Sequence, residues 1–349
     1  MNPVLSQPAA KLDPILQEAA VQGAGISLLI ENNDKVVYAS SAGIANDSGN
    51  FRIDTLTNFR MASVSKQFTA MAILLLEKEG KLSFEDPVRK YLPELPVACN
   101  NICLKHLLTH SSGIWDYEAL IPGNRQIQVL DADVLQLLQT KDSVYFPAGA
   151  KFQYSNSGFC LLSIITERIS GQSFASFVRD RIFTPLKMQD SRVYMPGIII
   201  PHRAMGYAKD RTGKTVFSDQ SITSATKGDG GVYTSVADYR KWVHALQEDK
   251  LVSIQSVIKR LQFKISSAGK NYYAAGWFEL LSQEPVLFHS GSTCGFNDFV
   301  IWMPSTKLSI VMFSNLADRL SIFSKVLMVL KEEGIGDFSA VLKMHALTN

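Results

Sequence analysis

The sequence predicts an α/β (α+β) fold, with one antiparallel sheet assembled from strands at both ends of the chain, flanked by helices and interrupted by a mainly helical insertion. Three observations lead there. Strand-prone runs occur near the N-terminus and return only from Tyr272 onward. Between Asp86 and about Met205 the pattern is helical, broken by loops bearing Pro and Gly. A chain of 349 residues that is 46% hydrophobic and 19% charged can also bury a sizeable core.

In chain order, Leu12 to Val21 reads as an amphipathic helix with Asp13-Pro14 at its start, ended by Gly23 to Gly25. Gly25 to Ile30 and Lys35 to Ala42 are strand-prone and are separated by Asn32-Asn33-Asp34, which carries the turn chemistry of a hairpin. From Ser63 a central, buried helix is expected, with Phe68, Ala72, Leu75 and Leu76 on one face and Gly80 as its C-terminal cap. Helical segments follow at Leu104 to Thr109, Asp133 to Gln139, Gly158 to Ile169 and Phe174 to Ile182. Strands are expected at Tyr272 to Leu280, Val286 to Phe288, Asp298 to Met303 and Leu308 to Phe313, before a last helix over Ala317 to Leu330. The C-terminal strands can complete a sheet only by joining the N-terminal hairpin. The expected division is therefore a discontinuous α/β domain (10–85 and 206–335), a mainly helical domain (86–205) and a C-terminal tail (336–349).

Composition excludes several function classes. The 35 basic and 32 acidic residues, net charge +3, are interspersed, so no phosphate-binding stripe exists and nucleic acid is not an expected partner. The apolar stretch Phe68 to Leu76 is about half the length a bilayer crossing needs, so no membrane span is expected. Met1 to Pro8 lacks the basic and apolar regions of a secretory signal, which leaves a cytoplasmic protein or a form lacking a removed signal. Cys99, Cys103, Cys160 and Cys294 are too scattered for a disulfide framework. Cys99 and Cys103 lack a second ligand pair, and His106 and His110 flank Leu107 where a zinc helix needs Glu. Neither a metal nor an organic cofactor is expected.

The chemistry-bearing signal is Ser63-Val64-Ser65-Lys66. A serine hydroxyl needs a neighbouring base, and a buried lysine in its neutral form can supply one. On a helix the two would share a face, with the helix N-terminus favouring negative charge beside Ser63. The spacing alone is common, and a capping serine with a solvated lysine would give the same pattern. The apolar helix that follows favours a buried Lys66, which is costly without a purpose.

With its flanks, Phe59-Arg60-Met61-Ala62-Ser63-Val64-Ser65-Lys66-Gln67-Phe68 resembles the first active-site motif of the serine β-lactamase and penicillin-binding-protein superfamily. Tyr154-Ser155-Asn156 is similar to the second motif of class C β-lactamases and related carboxypeptidases and esterases, and His289-Ser290-Gly291 stands where many members carry Lys-Thr-Gly. The flanks Leu107 to Gly113 and Gly228-Asp229-Gly230-Gly231-Val232 fit as well, and the likeness spans roughly Leu12 to Leu330. The resemblance implies a β-lactamase/transpeptidase-like fold. It also implies Ser63 as nucleophile, Lys66 and Tyr154 sharing proton transfer, and Asn156 holding Lys66 and the substrate. The oxyanion would be met by the N–H groups of Ser63 and of Ser292, just after Gly291.

His289 departs from the pattern. Lysine there would bind the carboxylate of a β-lactam or a C-terminal D-alanine, whereas histidine is largely neutral at pH 7. Relatives with histidine include esterases, D-amino-acid peptidases and acyltransferases. The expectation is a serine hydrolase acting on a small ester, peptide or β-lactam: an esterase, a D-amino-acid peptidase or carboxypeptidase, or a weak β-lactamase. The alternatives are transfer to a non-water acceptor and a non-catalytic binding protein. Phe296 and Trp302 are candidates for an apolar acyl pocket or for ordinary core, and the loops Asp116 to Arg125 and Pro196 to Phe217 are expected to set the substrate.

Overall fold

Eight antiparallel strands form the principal sheet, and the chain builds it from both ends. The computed structural model describes residues 7–20, 24–46, 51–266, 270–281 and 284–348, so the expectations for Val21, for Gly23 and for the first six residues lie outside the described residues. Across the sheet the order is Phe263–Lys264, Asn271–Ala274, Trp277–Leu280, Val286–Thr293, Phe296–Met303, Leu308–Ser314, Ile26–Asn32 and Lys35–Ala42. The two ends meet where Ile26–Asn32 pairs with Leu308–Ser314, with Ile26 opposite Ser314 and Leu29 opposite Val311. Both strands are almost wholly buried, as expected of a sheet covered on both faces.

Neighbouring residues on a strand point to opposite faces. Phe299 therefore meets Phe323 of the Leu320–Glu332 helix on one face. Phe313, from the adjacent strand, packs against Tyr239 of the Val236–Gln247 helix on the other. The Lys66–Lys78 helix lies on this second side, where Phe68 is fully buried among Phe183, Tyr239 and Trp242. Truncating Phe68 to Ala would cost about 3–5 kcal/mol through the lost transfer energy and the cavity left behind. The Asn156–Ser170 helix packs against the Lys66–Lys78 helix and fixes the second motif beside the first.

Several boundaries differ from expectation for identifiable reasons. The first helix runs over Gln7–Ala19 and carries Pro14 within it. The helix expected from Ser63 begins with a 3-10 turn, Ala62–Ser65, before Lys66–Lys78. Tyr272 to Leu280 is a hairpin rather than one strand. Ala274 pairs with Trp277 across a two-residue turn in which Ala275 and Gly276 both have positive φ (50° and 85°), the geometry that suits a tight hairpin. Ala275 is held in that conformation by its N–H donating to Leu108 O at 2.9 Å. Residues 86–205 contain the Leu104–Leu108, Asp131–Gln139, Asn156–Ser170 and Phe174–Val178 helices. The stretch expected as a tail holds a helix, Ser339–Thr348, that buries Val341 and Met344. Among the described residues no helix is long and apolar enough to cross a membrane.

Candidate active site

The nucleophile segment is clamped from two sides. Phe59–Arg60 pairs with Val232–Thr234, and the next N–H, that of Met61, donates to Val232 O at 2.8 Å. Ala62 then adopts a left-handed conformation, φ 43°, which costs a non-glycine residue about 1–2 kcal/mol. This turns the chain so that Ser63, half-buried, falls second in the 3-10 turn, whose first N–H groups have no partner within it. From the other side Gly291 presses against the same turn. A Cβ there would lie 2.3 Å from Met61 O, so only glycine lets the Val286–Thr293 strand approach this closely.

Lys66 is completely buried, and its Nζ has three polar neighbours: Ser63 Oγ at 3.0 Å, Asn156 Oδ1 at 2.9 Å and Asp229 O at 2.8 Å. An ammonium would donate to all three. A neutral amine, with two hydrogens and one lone pair, fits as well: its hydrogens meet the amide and carbonyl oxygens, and its lone pair faces the serine hydroxyl. Asn156 opens its helix behind Ser155, whose side chain accepts the Gly158 N–H, and its own Nδ2 donates to Glu118 Oε1 at 3.0 Å.

Tyr154 is set differently. Its ring centroid is 5.0 Å from Lys66 Nζ, but its hydroxyl is buried without a hydrogen-bond partner. The ring lies 4.1 Å from that of His110 and is flanked by Tyr273, Phe278 and His289. His110 accepts the Ser155 N–H on Nδ1 and leaves its Nε2 buried and unpartnered. His289 also belongs to this aromatic box. It is 1% exposed, Nδ1–H donates to Ser290 O at 2.7 Å, and Nε2 faces the Tyr273 hydroxyl at 3.3 Å. Burial, reinforced by the Lys66 charge, drives its pKa down to about 3, so the imidazole is neutral throughout the physiological range.

A polar cleft of about 60 Å3 opens over Ser63, and Asn156 and Ser292 line it as the sequence led one to expect. Lys66, Tyr154, His289 and Gly291 are not among its lining residues: Lys66 is buried and reaches the cleft through Ser63 and Asn156, Gly291 acts by its close approach, and the other two lie in the box. The cleft also gathers groups that the sequence reading did not single out: Arg60, Tyr117, Glu118, Thr223, Thr226 and Thr293. Asp229, named only within a flanking phrase, lines it too, and its carboxylate accepts the Tyr117 hydroxyl at 3.2 Å. Withdrawal from water pushes the carboxyls of Asp116 and Glu118 above their usual range, with Asp229 adding to the first and Asp116 to the second. The signal that could have found them is Asp116-Tyr117-Glu118, polar and acidic just after the Leu107 to Gly113 flank. Phe296 and Trp302 are core: both are fully buried, Phe296 against Tyr233 and Trp302 against Trp277. Of the two loops expected to set the substrate, only the first contributes to the cleft.

Outside this site, Glu31, Asp34 and His244 bring ligand atoms within 4.8 Å of one another. Glu31 is already paired with the Arg240 guanidinium and with His244 at 2.5 Å, which satisfies the carboxylate without an ion.

Comparison with known proteins identifies the family and the fold. Residues 12–326 match the family described as Beta-lactamase. A penicillin-binding protein of Bacillus subtilis (strain 168) is 30% identical over 310 residues, covering 83% of this chain and 68% of the relative. The protein Flp of Staphylococcus aureus (strain MW2) is 29% identical over 320 residues, 88% of this chain and 63% of Flp, so the chain spans only part of these longer relatives. Among solved structures, a penicillin-binding protein from Bacillus halodurans superposes with a TM-score of 0.77 at 25% identity, covering 92% of this chain and 98% of that one. A D-amino acid amidase from Ochrobactrum anthropi SV3 gives 0.77 at 21% identity, covering 94% and 99%, a likeness of fold alone.

Proposed function

We propose that this chain, which belongs to the β-lactamase family, hydrolyses small esters or amides through an acyl-enzyme on Ser63. The observation that carries the reading is the 3.0 Å contact between Lys66 Nζ and Ser63 Oγ, with the remaining positions of Nζ taken by Asn156 Oδ1 and Asp229 O. In the acylation step Ser63 Oγ bonds the acyl carbon as its proton passes to the neutral amine form of Lys66, which becomes the ammonium. The tetrahedral oxyanion is met by the N–H groups of Ser63 and Ser292. Collapse expels the alcohol or amine, which leaves with the proton held by Lys66, and Tyr154 shares this transfer from its place beside the lysine. Water then attacks the ester on Ser63 with the same groups in the reverse roles, releasing the acid.

Charge narrows the substrate. His289 is neutral, and Glu118 and Asp229 stand in the cleft wall with Asp116 beside them. A substrate carboxylate gains nothing from His289 and meets these acids as well as the Arg60 guanidinium in the same wall, so neutral acyl donors are favoured over β-lactams. A parallel screen of p-nitrophenyl esters, D-alanyl peptides and nitrocefin tests this. Turnover of an ester or peptide that disappears in Ser63→Ala is expected, with nitrocefin the slowest. Equal turnover by Ser63→Ala would refute the reading.

A further inference from the structure

The segment Lys227–Gly231 touches the nucleophile machinery at several points. Asp229 O receives Lys66 Nζ, Gly228 O receives the Thr69 hydroxyl at 2.6 Å, and the next residue, Val232, donates its N–H to Ser65 Oγ at 3.0 Å. What holds this turn lies outside the cleft. Asp131, the first residue of the Asp131–Gln139 helix and 2% exposed, accepts the Lys227 N–H on Oδ2 at 3.0 Å and the Gly228 N–H on Oδ1 at 3.1 Å.

We propose that Asp131 is a positioning residue for catalysis, its ionised carboxylate locking the Lys227–Gly231 turn so that the Asp229 carbonyl is presented to Lys66. The inference rests on the serine-hydrolase reading and goes beyond it by tying the base to a side chain of the helical segment. Two N–H donors are held most strongly when the carboxyl is ionised and both oxygens are charged acceptors; protonation leaves one of them a weaker acceptor carrying a hydrogen that needs a partner of its own. The titratable groups that face Asp131 are Lys227, whose Nζ lies 3.9 Å from Oδ2, Asp229 from the same turn, and from the Asn156–Ser170 helix the buried Cys160 thiol, whose pKa burial holds well above the usual thiol range, so that it stays neutral. Lys227 Nζ is itself held at 2.8 Å by Glu167 of the Asn156–Ser170 helix. Burial outweighs the Lys227 charge and the two N–H groups and pushes the Asp131 carboxyl up to about 6. The turn therefore loosens as pH falls through that value, and activity falls with it.

The test is the rate of Ser63 labelling by a fluorophosphonate between pH 4.5 and 8.5, in wild type, Asp131→Asn and Lys227→Met, with folding followed by circular dichroism. Wild type is expected to lose labelling on an acid limb near pH 6. Asp131→Asn should label about tenfold more slowly at pH 8 and lose that limb, since nothing remains to protonate at 131. Lys227→Met removes the cation that favours the charged carboxylate and should move the limb upward by about one pH unit. Should Asp131→Asn not fold, the upward shift in Lys227→Met still decides the matter, because a merely structural carboxylate would not move a rate profile. A labelled wild type whose limb is unmoved in Lys227→Met, or kept in a folded Asp131→Asn, overturns this inference alone. A wild type that never labels overturns the hydrolase reading with it.

Discussion

Two polar regions flank Ser63, and the protein holds them in opposite ways. Around Lys66 every donor position has an oxygen within 3.0 Å, drawn from the Asn156–Ser170 helix, the Lys227–Gly231 turn and Ser63 itself. Around Tyr154 the surroundings are aromatic, and both its hydroxyl and the neighbouring His110 Nε2 are buried without partners. A buried unsatisfied polar atom costs roughly 1–3 kcal/mol. The first region is preorganised by hydrogen bonds, and the second by ring packing that tolerates two unpaired atoms. On the proposed reading, Lys66 in its neutral form is already positioned to take the serine proton in the resting protein, whereas Tyr154 contributes only once chemistry or substrate gives its hydroxyl a partner.

The comparison can be broken or sharpened by graded substitutions. The largest effect is expected for Ser63→Ala, which removes the nucleophile and should lower kcat by at least about 10^4-fold. Lys66→Met should follow, with a loss of about 10^3-fold in kcat, because Ser63 then lacks its hydrogen-bonded base. Tyr154→Phe keeps the ring in the box and deletes an unpartnered hydroxyl; a loss of about tenfold in kcat with an unchanged melting temperature is expected. A loss in Tyr154→Phe equal to that of Lys66→Met would erase the distinction between the two regions.

The smallest effect is spectroscopic. The His289 imidazole resonances should not titrate between pH 8 and 4, since burial holds its pKa at about 3. The sign for stability follows from linkage. Between pH 6.5 and 3 the unfolded chain binds a proton at this histidine and the folded chain does not. His289 therefore adds to stability above pH 6.5, and that contribution is lost as the pH falls toward 3. A midpoint near 6.5 in the folded protein would mean that the box is open to water.

Much of this was legible in the sequence. The division of strands between the chain ends implied a sheet closed by pairing them, and Ile26–Asn32 beside Leu308–Ser314 is that closure. The Ser63–Lys66 spacing implied contact between the two, now 3.0 Å. What escaped was set by tertiary contact. Ala275-Gly276 carries no Asn or Asp to announce a turn, and its positive φ is secured by a bond to Leu108. The cleft's acids, Glu118 and Asp229, come from separate loops, so no single local pattern contains both. Histidine at 289 indicated a neutral side chain, but its removal from the cleft into an aromatic box depends on Tyr273, Phe278 and Tyr154 packing around it.

The central claim is that Ser63 takes an acyl group with Lys66 as its base. Intact-mass analysis after brief exposure to an activated ester at pH 8, followed by peptide mapping, tests it most directly. The account predicts one acyl equivalent on the peptide containing Ser63, formed at least about a hundredfold more slowly in Lys66→Met and absent in Ser63→Ala. An adduct on any other residue, or acylation of Ser63 at the same rate without Lys66, would contradict it.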